Sequence, residues 1–514
     1  MRNVYLGIDI GTQSIRIIAF DAEGNQLADA TQNQYMDNVR TGWATEKPEI
    51  WWEKIILCLK EIFKVISPEV IKGIGVDGVT HSPVPVDRNG NLLQEDVQLY
   101  CDKRGAEIVE RFRKNYKEAG VFDATHNAPT ANWMGIKIRW IIENEPEIYE
   151  RTYKFLSAKD YINLKLTGEF CTDPSEASGT MLLDHETSTW SDVAMKYMGI
   201  DKNKFPEIKR ACEYVGTVSK KAALETGLKE GTPVVVGAGD MPAGLLGAGL
   251  VREGTCVDLI GTGTVSAVFS DHAMKDEKIA NFRCASPGWS PYLSMDSSGG
   301  AYRWFRDVMG KAEYRDAQEK GIQAFEYLNR FAAKVQPGSQ GVMFFPYLQG
   351  ERTRGTSYSK ATFTGMTPAT TIGHLARAVM EGVSYECRAA YELLDKQNKI
   401  EKVTLTGGAA KGDVWSQIKA DIYGKPVVTL KQKETTAFGS ALLAAIAAGE
   451  YKDEIEAADA TVISDKIFEP NITNCRIYDE LYEVFKDMHE AIQKPYVKLG
   501  KILEAQGGAD TKCV

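Results

Sequence analysis

One local pattern occurs twice in this 514-residue chain, and it constrains the fold more than any other feature. GIDIGTQSIRIIAF (Gly7–Phe20) and CVDLIGTGTVSAVF (Cys256–Phe269) each read as an apolar strand, a Gly/Thr-rich turn and a second apolar strand. Such runs punctuated by small polar residues predict hairpins. The echo is not a short-period repeat; it predicts two related α/β domains. A chain this long also exceeds what one hydrophobic core supports. We place the boundary just after Asp240, within residues 241–255, giving domains over 1–245 and 246–495 and a loosely ordered tail over 496–514.

The remaining pattern fills in around the hairpins. Val4–Ile10 and Ile15–Phe20 read as strands, and Asp21–Asn25 as a turn leading to a further short strand. Pro48 opens an amphipathic helix on which Trp52, Ile55, Ile56, Leu59, Ile62, Phe63 and Ile66 recur at helical spacing. Ile71–Val76 is a strand, Val84–Leu93 a strand and turn, and 105–230 mostly helical with a loop around Cys171–Thr180. Val234–Asp240 reads as one buried strand, Val403–Ile422 as strand, Gly-rich turn and helix, and Pro426–Leu430 as a strand. Thr435–Ala448 is a helix stopped at Gly449, its Ala-rich end reading as buried.

Net charge of −9 argues against a nucleic-acid or anionic-membrane partner. The nine cysteines are scattered without a C-x-x-C pair, so neither a disulfide framework nor a zinc ribbon reads out. MRNVYLGIDIG runs straight into a strand without a signal-peptide pattern, and no apolar run reaches the roughly 20 residues of a membrane span. A cytoplasmic location with reduced thiols is the expectation.

Four constellations carry chemistry. In Gly7–Arg16 the turn Gly11, Thr12, Gln13, Ser14 offers N–H groups and hydroxyls suited to phosphate oxygens. Asp9 could hold Mg2+ through water, and Arg16 adds positive charge. An ordinary hairpin turn is the competing reading. Gly261, Thr262 and Gly263 form the matching turn in the second half. Gly407, Gly408 and Ala409 follow a strand and precede a helix, where glycines let a base or ribose pack flat; Trp415, Gln417, Ala420 and Asp421 read as structural. Asp240, before Pro242, reads both as a helix N-cap and as a general base at a strand end. The G-A-G-D stretch there lacks a G-x-G-x-x-G at the first strand–helix turn, which rejects a dinucleotide-binding oxidoreductase.

Together with GWATEKPEIWW, YCDKRG, KDYINLKLTGEFCTDPSEASGTMLLD, GAGDMPAGLLGAG and FFPYLQGERT, these motifs resemble the FGGY-type carbohydrate kinases over about residues 3–490, and most of all the xylulokinase branch. The resemblance implies two ribonuclease-H-like domains of the actin, hexokinase and Hsp70 ATPase fold, with an interdomain cleft. It implies ATP and Mg2+, with ATP mainly on the C-terminal domain and sugar mainly on the N-terminal domain. By it, Asp240 matches the catalytic base and a sugar contact, and Asp9 and Thr12 the magnesium and phosphate region. Thr262 and Gly263 match the second phosphate loop, and Gly407, Gly408 and Ala409 the adenosine site. In that branch a G-Q-M-H-G segment reads the sugar; here the run is Gly78-Val79-Thr80-His81-Ser82, keeping the histidine. Met241 stands where the branch favours Asn. Asp102 matches a position near the sugar, against a competing role as partner of Lys103 or Arg104; His81 competes with a loop-capping role. The implied reaction is ATP-dependent phosphorylation of a ketopentose such as D-xylulose. Ribulose, another pentulose, a tetritol, gluconate or a signalling diketone derivative are same-chemistry alternatives. A sugar-independent ATPase or a sugar sensor are alternatives of another class. The family often forms dimers, so a homodimer is the corresponding expectation.

Overall fold

The computed structural model describes residues 3–506 apart from 39, 41, 352–355 and 398. The last two residues of FFPYLQGERT and the end of the tail, 507–514, therefore lie outside the described residues. The chain divides into two compact units. One comprises Met1–Arg252, Phe269–Pro291 and Glu434–Ile463; the other comprises Glu253–Val268, Tyr292–Lys433 and Ser464–Val514. Two later segments thus return to the first unit, which a single boundary near 245 does not anticipate.

The first unit is built on a sheet in the order Tyr214–Thr217, Pro233–Val235, Ile71–Gly78, Val4–Ile10, Ser14–Asp21, Gln26–Asn33. The second has Ser464–Phe468, Val427–Leu430, Lys402–Gly407, Thr255–Ile260, Thr264–Val268, Trp289–Met295 in that order. Read from the first strand named, both sheets pair antiparallel, parallel, parallel, antiparallel, antiparallel. Parallel neighbours need helical crossovers. Pro48–Ile62 serves in the first unit and Ile372–Leu394 in the second. This shared order is the duplication that the twin hairpins predict.

In the first unit Ile8, Ile15, Ile17 and Ile74 pack in one core with Trp51, Ile55 and Leu59 of the Pro48–Ile62 helix, all of them at 0% exposure. The opposite face takes the buried helix Thr435–Ala447. Small residues let it touch the strands backbone to backbone. A Cβ added to Gly7 would stand 1.8 Å from Ala437 O, and one on Gly75 would stand 1.9 Å from Ser440 O.

Several sequence expectations need correction. Cys171–Thr180 is not a loop. It holds the strand Cys171–Thr172 and the helix Pro174–Ser178, because Asp173 caps the N–H groups of Ser175 and Glu176 with Pro174 in the first turn. Val234–Asp240 is split into Pro233–Val235 and Ala238–Gly239, since Gly237 turns the chain at φ 74°. The helix from Pro48 ends at Ile62, short of Phe63 and Ile66. Ile472–Ala505 is one helix, so most of the tail expected to be loose from 496 is helical. Among the described residues no helix is long and apolar enough to cross a membrane, and the eight described cysteines are unpaired.

Candidate active site

In the first unit, strand register assembles a polar row. Asp77 lies beside Asp9 in parallel pairing, Asp9 beside Arg16 across the hairpin, and Arg16 beside Thr31. Adjacent strands are about 4.8 Å apart and in-register residues share a face. The Asp9 carboxyl accordingly stands close enough to disfavour ionisation of Asp77. Burial pushes Asp9 up to about 6, with Arg16 pulling against it. Burial and the neighbouring Asp9 hold Asp77 well above the usual range. Ser440 Oγ donates to Asp77 Oδ2 at 2.7 Å, whereas Asp77 Oδ1 is buried without a partner. Arg16 is drawn sideways into an ion pair with Glu434, and its Nε donates to Thr31 Oγ1 at 3.1 Å.

A buried aspartate with a purely structural job looks different. In the second unit, Asp258 Oδ1 accepts from Ser266 Oγ at 2.7 Å and Tyr391 OH at 2.5 Å. Its Oδ2 accepts from Tyr423 OH at 2.7 Å and Lys419 Nζ at 2.8 Å. Burial raises its pKa, but Lys419 and the hydroxyls bring it below the usual range. Asp9 and Asp77 lack such compensation. Two hard oxygen donors with one orphaned atom fit Mg2+, which takes one or two carboxylates and completes its shell from water and phosphate. Among the described residues no group of three or more His, Cys, Asp or Glu is arranged to hold a metal.

Ala238 and Gly239 pair with Asp77 and Gly78, so Asp240 emerges beside the same strand ends. Gly239, not Asp240, is the cap of the helix Asp240–Gly247. Asp240 sits in its first turn, where Oδ1 accepts Met241 N–H at 2.7 Å. Burial lifts the carboxyl to about 7, against the pull of that backbone N–H. Lys159 Nζ, itself fully buried, pairs with Asp160 at 2.6 Å and Asp173 at 3.1 Å and donates to Val236 O at 3.2 Å, in the segment that leads to Asp240. Gly239 N–H donates to Ser175 Oγ at 3.0 Å.

His81 takes a left-handed φ of 68° and stands edge-on to Trp133 with ring centroids 5.2 Å apart. Burial and then the Lys137 cation pull its pKa down to about 3, so the ring is neutral. Nδ1 donates to Gly179 O at 2.6 Å, which leaves Nε2 an acceptor. Asp102 is the partner of Arg104, buried rather than on the surface. Oδ1 accepts Arg104 N and Nε at 3.0 and 2.9 Å, and Oδ2 accepts Arg104 Nη2 and Ala44 N, both at 2.8 Å. Asp102 thereby holds Arg104 over the Trp43 ring at 3.6 Å.

The turn Gly11–Ser14 is closed by Gly11 N–H to Ser14 O at 3.0 Å, with Thr12 and Ser14 half-buried and Gln13 exposed. In the second unit the Gly261–Gly263 turn is braced from a neighbour: Ser298 N and Gly300 N donate to Thr262 O at 3.0 and 2.9 Å. Ile260 pairs with Gly407, so the Gly261–Gly263 and Gly407–Ala409 turns leave adjacent strands. Gly407, at φ 80°, answers to the sheet, since a Cβ there would stand 2.3 Å from Ile260 O. Gly408 faces open space, nothing lying within 4 Å of its would-be Cβ, which suits a flat base or ribose. Trp415 bonds Ser384 Oγ at 3.2 Å, and Asp421 accepts from Asn471 N at 2.9 Å and Asn474 Nδ2 at 2.8 Å. Both serve packing, as the sequence reading expects.

Sequence reasoning missed Asp77, Ser298 and Gly300. Asp77 had a signal: VDG ends its strand much as DIG ends the first.

Two sheets of one shared order, each carrying a Gly/Thr turn, are those of the actin and hexokinase-like ATPase fold. Within that class, the chain belongs to the FGGY family of carbohydrate kinases. The family's N-terminal domain matches residues 4–247 and its C-terminal domain residues 259–448. The chain is 28% identical over 492 residues to the xylulose kinase of Bacillus subtilis (strain 168), covering 94% of this chain and 96% of that one. It is 26% identical over 504 residues to the gluconokinase of the same organism, covering 97% and 98%. The crystal structure of xylulose kinase from Rhodospirillum rubrum superposes with a TM-score of 0.88 at 27% identity, covering 96% of this chain and 100% of that one. The protein is thus an ATP-dependent sugar kinase.

Proposed function

We propose that this kinase transfers the γ-phosphoryl group of ATP to a primary hydroxyl of a ketopentose such as D-xylulose, with Asp240 as the base. The observation that carries the reading is the Asp240 carboxyl itself: one backbone hydrogen bond, a place beside Asp77 and Asp9, and a pKa lifted by burial to about 7. A base poised near the operating pH accepts the hydroxyl proton most effectively. The hydroxyl oxygen attacks in line, and no covalent phosphoenzyme is needed.

Asp9 and Asp77 would hold Mg2+, which when bound supplies charge neutralisation for the β- and γ-phosphates. The Gly11, Thr12, Gln13 and Ser14 turn with Arg16, and the Gly261, Thr262 and Gly263 turn, offer N–H groups, hydroxyls and one cation to phosphate oxygens. Gly407, Gly408 and Ala409 take the adenosine. His81 Nε2 accepts a sugar hydroxyl, and Asp102 orders the surrounding loop through Arg104 and Ala44.

Gluconate is the second reading, favoured by the match to a gluconokinase over nearly the whole chain. ADP release with MgATP and millimolar D-xylulose, gluconate, ribulose or no sugar separates the two. Stimulation by D-xylulose above the others is expected. Stimulation by gluconate alone reassigns the substrate, and full turnover without sugar overturns the kinase reading.

A further inference from the structure

Behind the Gly11–Ser14 turn lies a buried polar cluster that the phosphate reading does not use. Gln34 holds the turn at two points: its backbone N–H donates to Gln13 O at 2.9 Å, and its side-chain Nε2 donates to Gly11 O. The same Nε2 also faces Glu46 Oε2 at 3.4 Å, and that oxygen accepts Trp51 Nε1–H at 2.8 Å. Gln34 and Glu46 are 3% and 4% exposed, and Trp51 is fully buried.

Two atoms of this cluster have no partner, Glu46 Oε1 and Gln34 Oε1. With Glu46 ionised, both are pure acceptors, and leaving them dry and unsatisfied is costly. A single proton on Glu46 Oε1 satisfies both at once. The acid O–H then donates to Gln34 Oε1 while Gln34 Nε2 donates to Glu46 Oε2, a reciprocal acid–amide pair. The second Nε2 hydrogen remains for Gly11 O. Every donor and acceptor of the two side chains is then used.

We propose that Glu46 is a positioning residue for the phosphate turn: as a carboxylic acid it pairs with the Gln34 amide and holds Gly11–Ser14 in place, and its ionisation loosens that turn. The proposal rests on the reading of Gly11–Ser14 as a phosphate site. Burial is the main reason Glu46 keeps its proton, lifting it to about 7; the Trp51 N–H and Lys54, both on the following helix, favour the ion, and Asp37 disfavours it. The facing strand, Val97–Gln98, adds no charge. Glu46 therefore acts opposite to Asp240, since rising pH ionises the base that turnover needs but weakens the grip on phosphate.

The test is KM for MgATP from about pH 6 to about pH 8.5 in wild type, Glu46→Gln and Glu46→Ala, with infrared difference spectra of the carboxyl band. Wild type is expected to show KM rising about tenfold across that range, the scale of one lost buried hydrogen bond. Glu46→Gln should keep the low-pH KM throughout, because an amide makes both bonds at any pH. Glu46→Ala should show the raised KM throughout. The infrared spectra should show a protonated carboxyl at low pH that is absent from Glu46→Gln. A wild-type KM independent of pH, Glu46→Gln as impaired as Glu46→Ala, or no protonated band at low pH would each overturn the proposal. The infrared band reads Glu46 without reference to turnover, so failure of the Gly11–Ser14 phosphate reading leaves a distinct signature: a titrating Glu46 band with no change in KM.

Discussion

Gly75→Ala tests the contact that places Asp77. A Cβ at Gly75 would stand 1.9 Å from Ser440 O and 2.6 Å from the Ser440 carbonyl carbon. These are backbone atoms of a helix, so no side chain can swing aside. The helix Thr435–Ala447 must withdraw from the strand Ile71–Gly78 by at least about 1 Å in a close-packed interior. That withdrawal carries Ser440 Oγ away from Asp77 Oδ2, now 2.7 Å apart. Overpacking costs about 1–3 kcal/mol, and losing a hydrogen bond to a buried carboxylate adds about 1.5–3 kcal/mol. A destabilisation of about 2.5–6 kcal/mol is expected in the urea transition that reports the first unit. At temperatures where the variant stays folded, kcat should fall as well, because Asp77 is one of the two carboxylates proposed to hold Mg2+. A variant within about 0.5 kcal/mol of wild type would refute this account of the helix–strand contact.

Gly408→Ala is the converse: with nothing within 4 Å of the new methyl it should leave stability unchanged, yet raise KM for ATP in steady-state assays. Lys159→Met removes the cation from between buried Asp160 and Asp173 and should cost about 3–5 kcal/mol in denaturant titrations. Asp9, Asp240 and Glu46 all have folded pKa values raised by burial, to about 6, 7 and 7. The native state therefore binds more protons than the unfolded chain between about pH 4 and pH 7. Stability should fall as pH rises through that window, read as a declining midpoint in thermal melts. Asp102→Ala should lower stability by about 3–5 kcal/mol through the unpaired buried Arg104, with any loss of sugar affinity following from that loop.

The hairpins were legible because their short apolar runs and Gly/Thr turns are local signals, and Val4–Ile10 was read to the residue. The helix Thr435–Ala447 was legible as buried, but not as part of the first unit, since that depends on Gly7 and Gly75 meeting its backbone. The Cys171–Thr180 region was misread because Asp173-Pro174 opens a helix only five residues long, too short to show a period. Asp240 was legible as a candidate, whereas its neighbour Asp77 emerged only from strand register. For Asp102 the resemblance places it near the sugar and the sequence offers Arg104 as a partner, while its burial and the two-pronged Arg104 fork emerged only from the fold. The Glu46–Gln34 pair left no signal at all, because its partners meet only through the fold.

The most direct test of the central claim is Asp240→Asn, compared with wild type in a single-turnover phosphoryl-transfer assay alongside calorimetric binding of ATP and the sugar that stimulates ADP release. The account predicts that the variant binds both ligands with near wild-type affinity while transfer falls by at least about a hundredfold. Transfer at a near-normal rate would contradict it and move the base elsewhere.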